Sequence, residues 1–229
     1  FGSIAESMNV LDTVEEVPDE ADSCGEAAAL SIEELVRLVE DASLAPSRRV
    51  TAAHALHTRC LQPPFGHALQ PFIHVGFIDA LLDLLAQAER LPFILVRLLW
   101  TLAMVPSASQ PLRDAGALQV VLDALRSLDE PLLVGAALAF IACVIKERPA
   151  AEKFFGQPSN VRPLLRALWR WRADIEIAGS LLAIFEFALQ VPCYTCILGA
   201  EVRVPSQDVP LRLLPALRLV CEAADSPGS

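Results

Sequence analysis

The sequence has no apolar run long enough to cross a membrane as a helix. Its longest run, residues 132–145, has about 14 residues, whereas a membrane-spanning helix needs about 20. No basic segment followed by an apolar one stands at the start, so we predict no secretory signal. The chain begins at Phe1 rather than Met, and we expect it to be a fragment. We therefore interpret the run as a buried helix, and the scattered cysteines described below lead us to expect a cytoplasmic or nuclear protein.

Positive charge is also scarce. The chain has 18 lysine and arginine residues against 28 aspartate and glutamate residues, which gives a net charge of −10. Nucleic-acid binding depends on basic side chains that neutralise phosphates, so we predict no nucleic-acid partner. The acidic surface is either simply well solvated or suited to a basic peptide or protein, and composition leaves both alternatives open.

Catalytic motifs are absent from the sequence as well. It contains no glycine-rich phosphate loop, no nucleophile elbow and no paired carboxylates in a predicted cleft. We therefore predict a protein that is not an enzyme and has no cofactor.

Metal ligands occur only in incomplete sets. Cys193 and Cys196 have the C-x-x-C spacing but supply only two of the four ligands that zinc needs, and no histidine follows His74. His54 and His57 share a helix face without a third ligand at a matching spacing, so we interpret them as polar surface or groove residues. We predict no metal site, and we interpret the six scattered cysteines as reduced thiols.

The sequence does contain an internal repeat. Residues 71–85, PFIHVGFIDALLDLL, return as residues 111–125, PLRDAGALQVVLDAL, so that Pro71 falls on Pro111 and Gly76 on Gly116, an offset of 40. Self-similarity at this period in apolar helical segments is typical of a helical solenoid.

Two classes of predicted helix alternate along the chain. The first has one apolar stripe at x, x+3, x+4 and x+7, and occurs as Ile32/Leu35/Val36/Val39, Ile78/Leu81/Leu82/Leu85, Leu118/Val121/Leu122/Leu125 and Val161/Leu164/Leu165/Leu168. The second has a stripe at y, y+3 and y+6, and occurs as Ala53/Leu56/Arg59 (a weaker version), Leu99/Leu102/Val105, Leu138/Ile141/Val144 and Leu181/Ile184/Phe187. The two series keep the same spacing to within one residue, which indicates about four repeats.

Local signals mark the boundaries of these helices. Ser31 with Glu34 has the spacing of a capping box before the first helix. Gly76 and Gly116 stand at predicted tight corners, where a residue that tolerates unusual dihedral angles is needed.

The repeats divide the chain into three regions. Residues 1–29 form an acidic segment, with a short helix near its start that either caps the first repeat or docks elsewhere. Residues 30–223 form the repeat domain, and residues 224–229 form a tail. Within the domain, residues 191–210 are predicted to be an irregular connection, and residues 212–221 a final helix of a degenerate capping unit, starting at Arg212 or nearer Leu214.

The repeats resemble armadillo repeats, with HEAT repeats as the near alternative. Residues 76–85 and 116–125 match the second-helix pattern G-x-I-x-x-L-L-x-x-L, and residues 98–105, LLWTLAMV, resemble the third helix. The resemblance covers about residues 30–190. It implies an all-α, right-handed armadillo-like solenoid of about four repeats plus the capping unit.

In such arrays the third helices line a concave groove that takes peptides or helices. By register, the resemblance implies a groove lined by His54, Thr58, Val96, Arg97, Trp100, Met104, Ala139, Cys143, Lys146, Leu182 and Glu186. Peptide-binding armadillo proteins often carry asparagine in the row that lies one turn further along the third helices, which in this chain is Thr58, Met104, Cys143 and Glu186. None stands there in this chain, so we do not expect recognition of nuclear-localisation signals.

A second candidate surface is basic. Arg162, Arg166 and Arg170 recur at i, i+4 and i+8 with Trp169 and Trp171 nearby. This face is either solvated and balanced by neighbouring carboxylates, or a contact for an acidic partner or for the chain's own acidic segment.

We thus predict a non-catalytic protein–protein interaction scaffold or adaptor. The alternatives are an obligate structural subunit of a larger complex and a chaperone cofactor that clasps a folded domain.

Overall fold

A computed structural model describes residues 30–61, 67–87, 93–126, 128–189, 201–202 and 211–212. These residues are almost entirely helical, which confirms the all-α prediction. The helices are α1 (Ile32–Glu40), α2 (Pro46–Cys60), the 3-10 helix η1 (His67–Phe72), α3 (Val75–Gln87), α4 (Phe93–Ala103), the 3-10 helix η2 (Pro106–Ala108), α5 (Ser109–Asp114), α6 (Ala117–Leu125), α7 (Pro131–Val144), α8 (Arg148–Phe155), α9 (Pro158–Arg170) and α10 (Ile175–Leu189).

Two very short strands follow the helices. Strand β1 (Glu201–Val202) pairs antiparallel with β2 (Leu211–Arg212), with Glu201 opposite Arg212. Arg212 therefore does not begin the predicted final helix, because its backbone belongs to this pair. The rest of that helix, the segment 1–29 and the tail lie outside the described residues.

The chain falls into two compact units, Phe1–Val120 and Val121–Ser229. In the first unit α1 packs on α2 and α3, α2 packs on α4, and α3 packs on α4 and α5. In the second unit α7 packs on α10, and α9 packs on α8 and α10.

The predicted apolar stripes form the core of each unit. All four stripe residues are buried in α3 and in α9, and the stripe residues Leu138, Ile141 and Val144 are buried in α7. At the ends of the stripes, Ile32, Leu118 and Phe187 are only half-buried. Helical periodicity alone therefore identified the buried faces.

The first helix begins with the predicted capping box. The Ser31 hydroxyl accepts a hydrogen bond from the Glu34 amide at 3.2 Å, and the Glu34 carboxylate accepts one from the Ser31 amide at 2.7 Å. The Ser31 amide and the Ser31 hydroxyl both donate to the Glu34 carboxylate, and these two bonds lower the pKa of Glu34. Two of the orphan N–H groups of the helix end are satisfied in this way.

The two predicted glycine corners differ. Gly116 has φ +75° between α5 and α6, as expected for a left-handed glycine after a helix end. Gly76 has no such conformation and lies inside α3, so that prediction is wrong. The reason is local, because His74 Nδ1 accepts the Phe77 amide at 3.3 Å and caps the helix through a side chain instead.

Gly116→Ala is expected to destabilise the protein by about 1–2 kcal/mol, the cost of placing a β-carbon in the left-handed region. A β-carbon there would meet no atom within 4 Å, so the effect comes from the backbone alone. Urea denaturation followed by circular dichroism measures it. Gly76→Ala is the matched control and should be neutral or slightly stabilising, because alanine favours the helix; equal losses in both variants would contradict the explanation.

A buried arginine stabilises the first unit. Arg49 is 3% exposed, and its Nε donates to the Val39 carbonyl at 2.8 Å while its Nη2 donates to the Ala80 carbonyl at 3.3 Å. One side chain of α2 thus satisfies a carbonyl near the end of α1 and reaches α3. The apolar patterns did not reveal it, because they count an arginine as a surface residue.

Among the described residues, no single helix is both long enough and apolar enough to cross a membrane. One pair of consecutive segments, Phe93–Ala103 and Pro106–Asp114, is long and apolar enough for a membrane span when the two are taken together, but the chain bends by 106° between them.

Candidate partner-binding surface

In the first unit the predicted groove residues lie on α2 and α4, which pack against each other. On α2, His54 and Thr58 are exposed one turn apart. The Thr58 hydroxyl donates to the His54 carbonyl oxygen at 3.0 Å. This bond orients the Thr58 side chain along its own helix and leaves the His54 imidazole at the surface.

Three predicted groove residues here are half-buried: Arg97 and Trp100 on α4, and Met104 in the turn that follows it. The Arg97 guanidinium lies 5.4 Å from the centre of the Phe93 ring, a distance at which cation and ring attract each other. The Met104 amide donates to the Trp100 carbonyl at 3.2 Å, in the turn that follows α4. Trp100 is therefore neither wholly in the core nor fully solvated, and part of its indole is available for contact.

His57 lies beneath this surface. It is 3% exposed, and its Nε2 has no hydrogen-bond partner within the described part of the chain. Burial, assisted by the nearby charges of Arg97 and His54, lowers the pKa of His57 to about 4. The imidazole is thus held neutral near neutral pH. Because Arg97 on α4 and His54 on α2 both act on it, the two helices bring these three side chains together.

The sequence prediction of His57 as a polar surface or groove residue is wrong. The buried positions of α2 are Arg49, Ala52, Ala53, Leu56, His57 and Cys60. They follow the spacing of an amphipathic helix, and His57 stands one turn after the buried Ala53. That spacing was the available signal, and the polarity of histidine obscured it.

In the second unit the predicted groove residues lie on α7 and α10, which also pack against each other. Cys143 and Leu182 are half-buried, and Glu186 is exposed on α10. Lys146 is exposed just after the end of α7. This pair of helices offers a mixed apolar and charged strip of its own.

Two predicted groove residues do not reach the surface. Val96 is 0% exposed and Ala139 is 3% exposed, so their assignment to a contact surface is wrong. The helices α4 and α7 bury side chains around most of their circumference. A helix that is apolar all round packs on several sides, so a register count along one face overestimates its exposed part.

The three arginines of the predicted basic face are all exposed on α9. Arg170 is ion-paired with Asp129, and its guanidinium lies 5.8 Å from the centre of the Trp171 ring. Arg172 lies 4.3 Å from the centre of the Trp169 ring and donates to the Trp169 carbonyl at 2.7 Å. The interpretation that neighbouring carboxylates balance the positive charge of this face is therefore confirmed for Arg170.

No cluster of metal-ligating side chains occurs among the described residues. His54 and His57, the nearest approach to one in the sequence, point to different environments, because one is exposed and the other buried. Cys60 is a free thiol, and burial raises its pKa to about 11. Cys193 and Cys196 lie outside the described residues.

No protein-family model, curated protein or solved structure matches this chain significantly.

Proposed function

We propose that this chain is a non-catalytic scaffold of armadillo-like repeats that binds a peptide or helix of a partner protein along its third helices. The order of the helices supports this proposal. A short first element followed by two helices occurs three times, as η1, α3 and α4, then η2 with α5, α6 and α7, then α8, α9 and α10. The helices α1 and α2 correspond to the second and third helices of a first repeat.

The packing of consecutive repeats supports the proposal further. In the first unit the third helices α2 and α4 are neighbours, and so are the second helices α1 and α3. In the second unit the third helices α7 and α10 are neighbours. Side-by-side stacking of equivalent helices is the arrangement by which a solenoid extends its core from one repeat to the next.

The single observation that carries the binding function is the surface of the α2–α4 pair. Trp100 on α4 and Met104 in the turn after it are partly exposed, while His54 and Thr58 are exposed on α2. Tryptophan and arginine are the residues that most often dominate binding energy at protein interfaces, and methionine adapts to different apolar partners. A partner that places an apolar side chain on Trp100 and polar groups towards His54 and Arg97 would use this surface.

Trp100→Ala is expected to weaken partner binding by about 2 kcal/mol or more, since buried aromatic anchors carry that much of an interface. Peptides selected from a random library against the wild-type protein provide the ligand, and fluorescence anisotropy measures its dissociation constant. The thermal unfolding midpoint should change little, because the indole is only half-buried.

Trp171→Ala is the matched control for this prediction. Trp171 is also half-buried, but it lies at the end of α9, outside the proposed groove. The control should leave the affinity of the peptide unchanged. If Trp100→Ala collapses the stability while each folded molecule still binds normally, then Trp100 is a core residue and the proposal fails.

A further inference from the structure

One exposed helix face in the second unit is basic throughout. Arg162, Arg166 and Arg170 stand one turn apart on α9, while its opposite face is buried. The helix, PSNVRPLLRALWR, contains no aspartate or glutamate. A helix face with three arginines and no carboxylate is therefore a local concentration of positive charge in a chain whose net charge is −10.

The three arginines differ in their partners. Arg170 is paired with Asp129, but neither Arg162 nor Arg166 has an ion pair or hydrogen bond with another side chain of the described residues. Side chains four residues apart on a helix are about 5–6 Å apart at their β-carbons, and like charges at that spacing repel each other. An anionic group between Arg162 and Arg166 would relieve this repulsion.

We propose that Arg162 and Arg166 form a docking site for an acidic segment of a protein partner, separate from the groove of α2 and α4. Guanidinium groups bind carboxylates through paired hydrogen bonds, which gives the contact a defined geometry. Two glutamates one helical turn apart in the partner match the spacing of the two arginines. Charge complementarity carries the choice of partner, because the exposed arginines of a helix without a carboxylate attract an acidic segment.

An exposed apolar side chain lies at the start of the next helix. Ile175, at the start of α10, is 82% exposed. Asp174 caps the same helix end, and its carboxylate accepts the Glu176 and Ile177 amides at 3.1 Å each, so Ile175 is presented by an ordered turn. We expect the partner segment to combine its glutamates with an apolar residue.

The test uses a fluorescein-labelled helical peptide with glutamates at i and i+4 and one leucine, and an otherwise identical peptide with glutamine in place of glutamate. The double variant Arg162→Glu/Arg166→Glu is expected to raise the dissociation constant of the glutamate peptide by about tenfold or more, measured by anisotropy, since removing charge complementarity weakens such contacts. Binding of the wild type should also weaken as salt is raised, because exposed charges are screened. The glutamine peptide should bind weakly to both proteins.

The double variant Arg37→Glu/Arg48→Glu is the matched control. Both residues are exposed in the first unit, and the change in net charge is the same. An equal loss of affinity in the control would show a general charge effect and overturn the proposal, as would an unchanged affinity in Arg162→Glu/Arg166→Glu. If that variant fails to fold by circular dichroism, Arg162→Gln/Arg166→Gln replaces it, with the same expected direction.

Two further measurements separate this site from its alternatives. Trp100→Ala should still bind the glutamate peptide, so the result of this test does not depend on whether the proposed groove binds a partner. Loss of peptide binding in Trp100→Ala would contradict the proposal that the two sites are separate. A single-stranded DNA oligonucleotide that binds as tightly as the peptide, with the same dependence on Arg162 and Arg166, would identify a nucleic-acid site and overturn the choice of an acidic protein segment.

Discussion

Leu138→Ala is expected to lower the free energy of unfolding by about 2–5 kcal/mol, the range for truncating a buried leucine. Leu138 is 0% exposed on α7, between the fully buried Ala137 and Ala139, which is 3% exposed. Small neighbours on the same helix cannot fill the space that the truncated side chain leaves, so the loss of transfer energy is accompanied by a cavity. Urea denaturation monitored by circular dichroism gives the change directly.

Leu182→Ala is the matched control for Leu138→Ala. Leu182 lies on α10, the helix that packs on α7, but it is only half-buried. Its truncation should cost about 1 kcal/mol, because less apolar surface returns to water. If both variants lose the same stability, the division between core and surface on these two helices is wrong.

A loss of stability in mild acid is expected from His57. Its pKa is lowered from 6.5 to about 4 in the folded protein, so below pH 6.5 the unfolded chain takes up a proton that the folded chain does not. The unfolded state then binds more protons, and the free energy of unfolding falls as the pH falls from about 6.5 to about 4. The full effect of this shift is roughly 3 kcal/mol at pH 4 and below, where it no longer grows.

Replacement of His57 separates this effect from the titration of carboxylates. His57→Leu removes the buried titrating group and the unpartnered Nε2, so the variant should lose roughly 3 kcal/mol less than the wild type between pH 7 and pH 4. His54→Gln is the control, because His54 is exposed on the same helix and its removal should leave most of the wild-type loss in place. Parallel stability curves for wild type and His57→Leu would contradict the assigned origin.

The acid response has a consequence for the proposed scaffold. His57 lies under the surface formed by α2 and α4, and the charges of Arg97 and His54 oppose its protonation. Protonation would therefore weaken the packing of the two helices that present Trp100. Peptide binding at the groove should decline near pH 4, where the folded protein protonates His57, whereas the free energy of unfolding already falls between about pH 6.5 and about pH 4.

The helices and most of their buried faces could be predicted from local sequence patterns. Stripes such as Ile78/Leu81/Leu82/Leu85 arise from the local geometry of 3.6 residues per turn, and all four are buried. The capping box of Ser31 and Glu34 is equally local, since its partners are three residues apart. Features of this kind can be predicted because a single helix contains everything they depend on.

Which of the remaining side chains are buried depends on tertiary packing. Val96 was assigned to a surface by counting along one helix face, but α4 has neighbours on further sides. Arg49 is buried because carbonyl groups of two other helix segments accept its hydrogen bonds. Burial depends on every neighbour that surrounds a helix, and these neighbours come from distant parts of the chain that local periodicity does not describe.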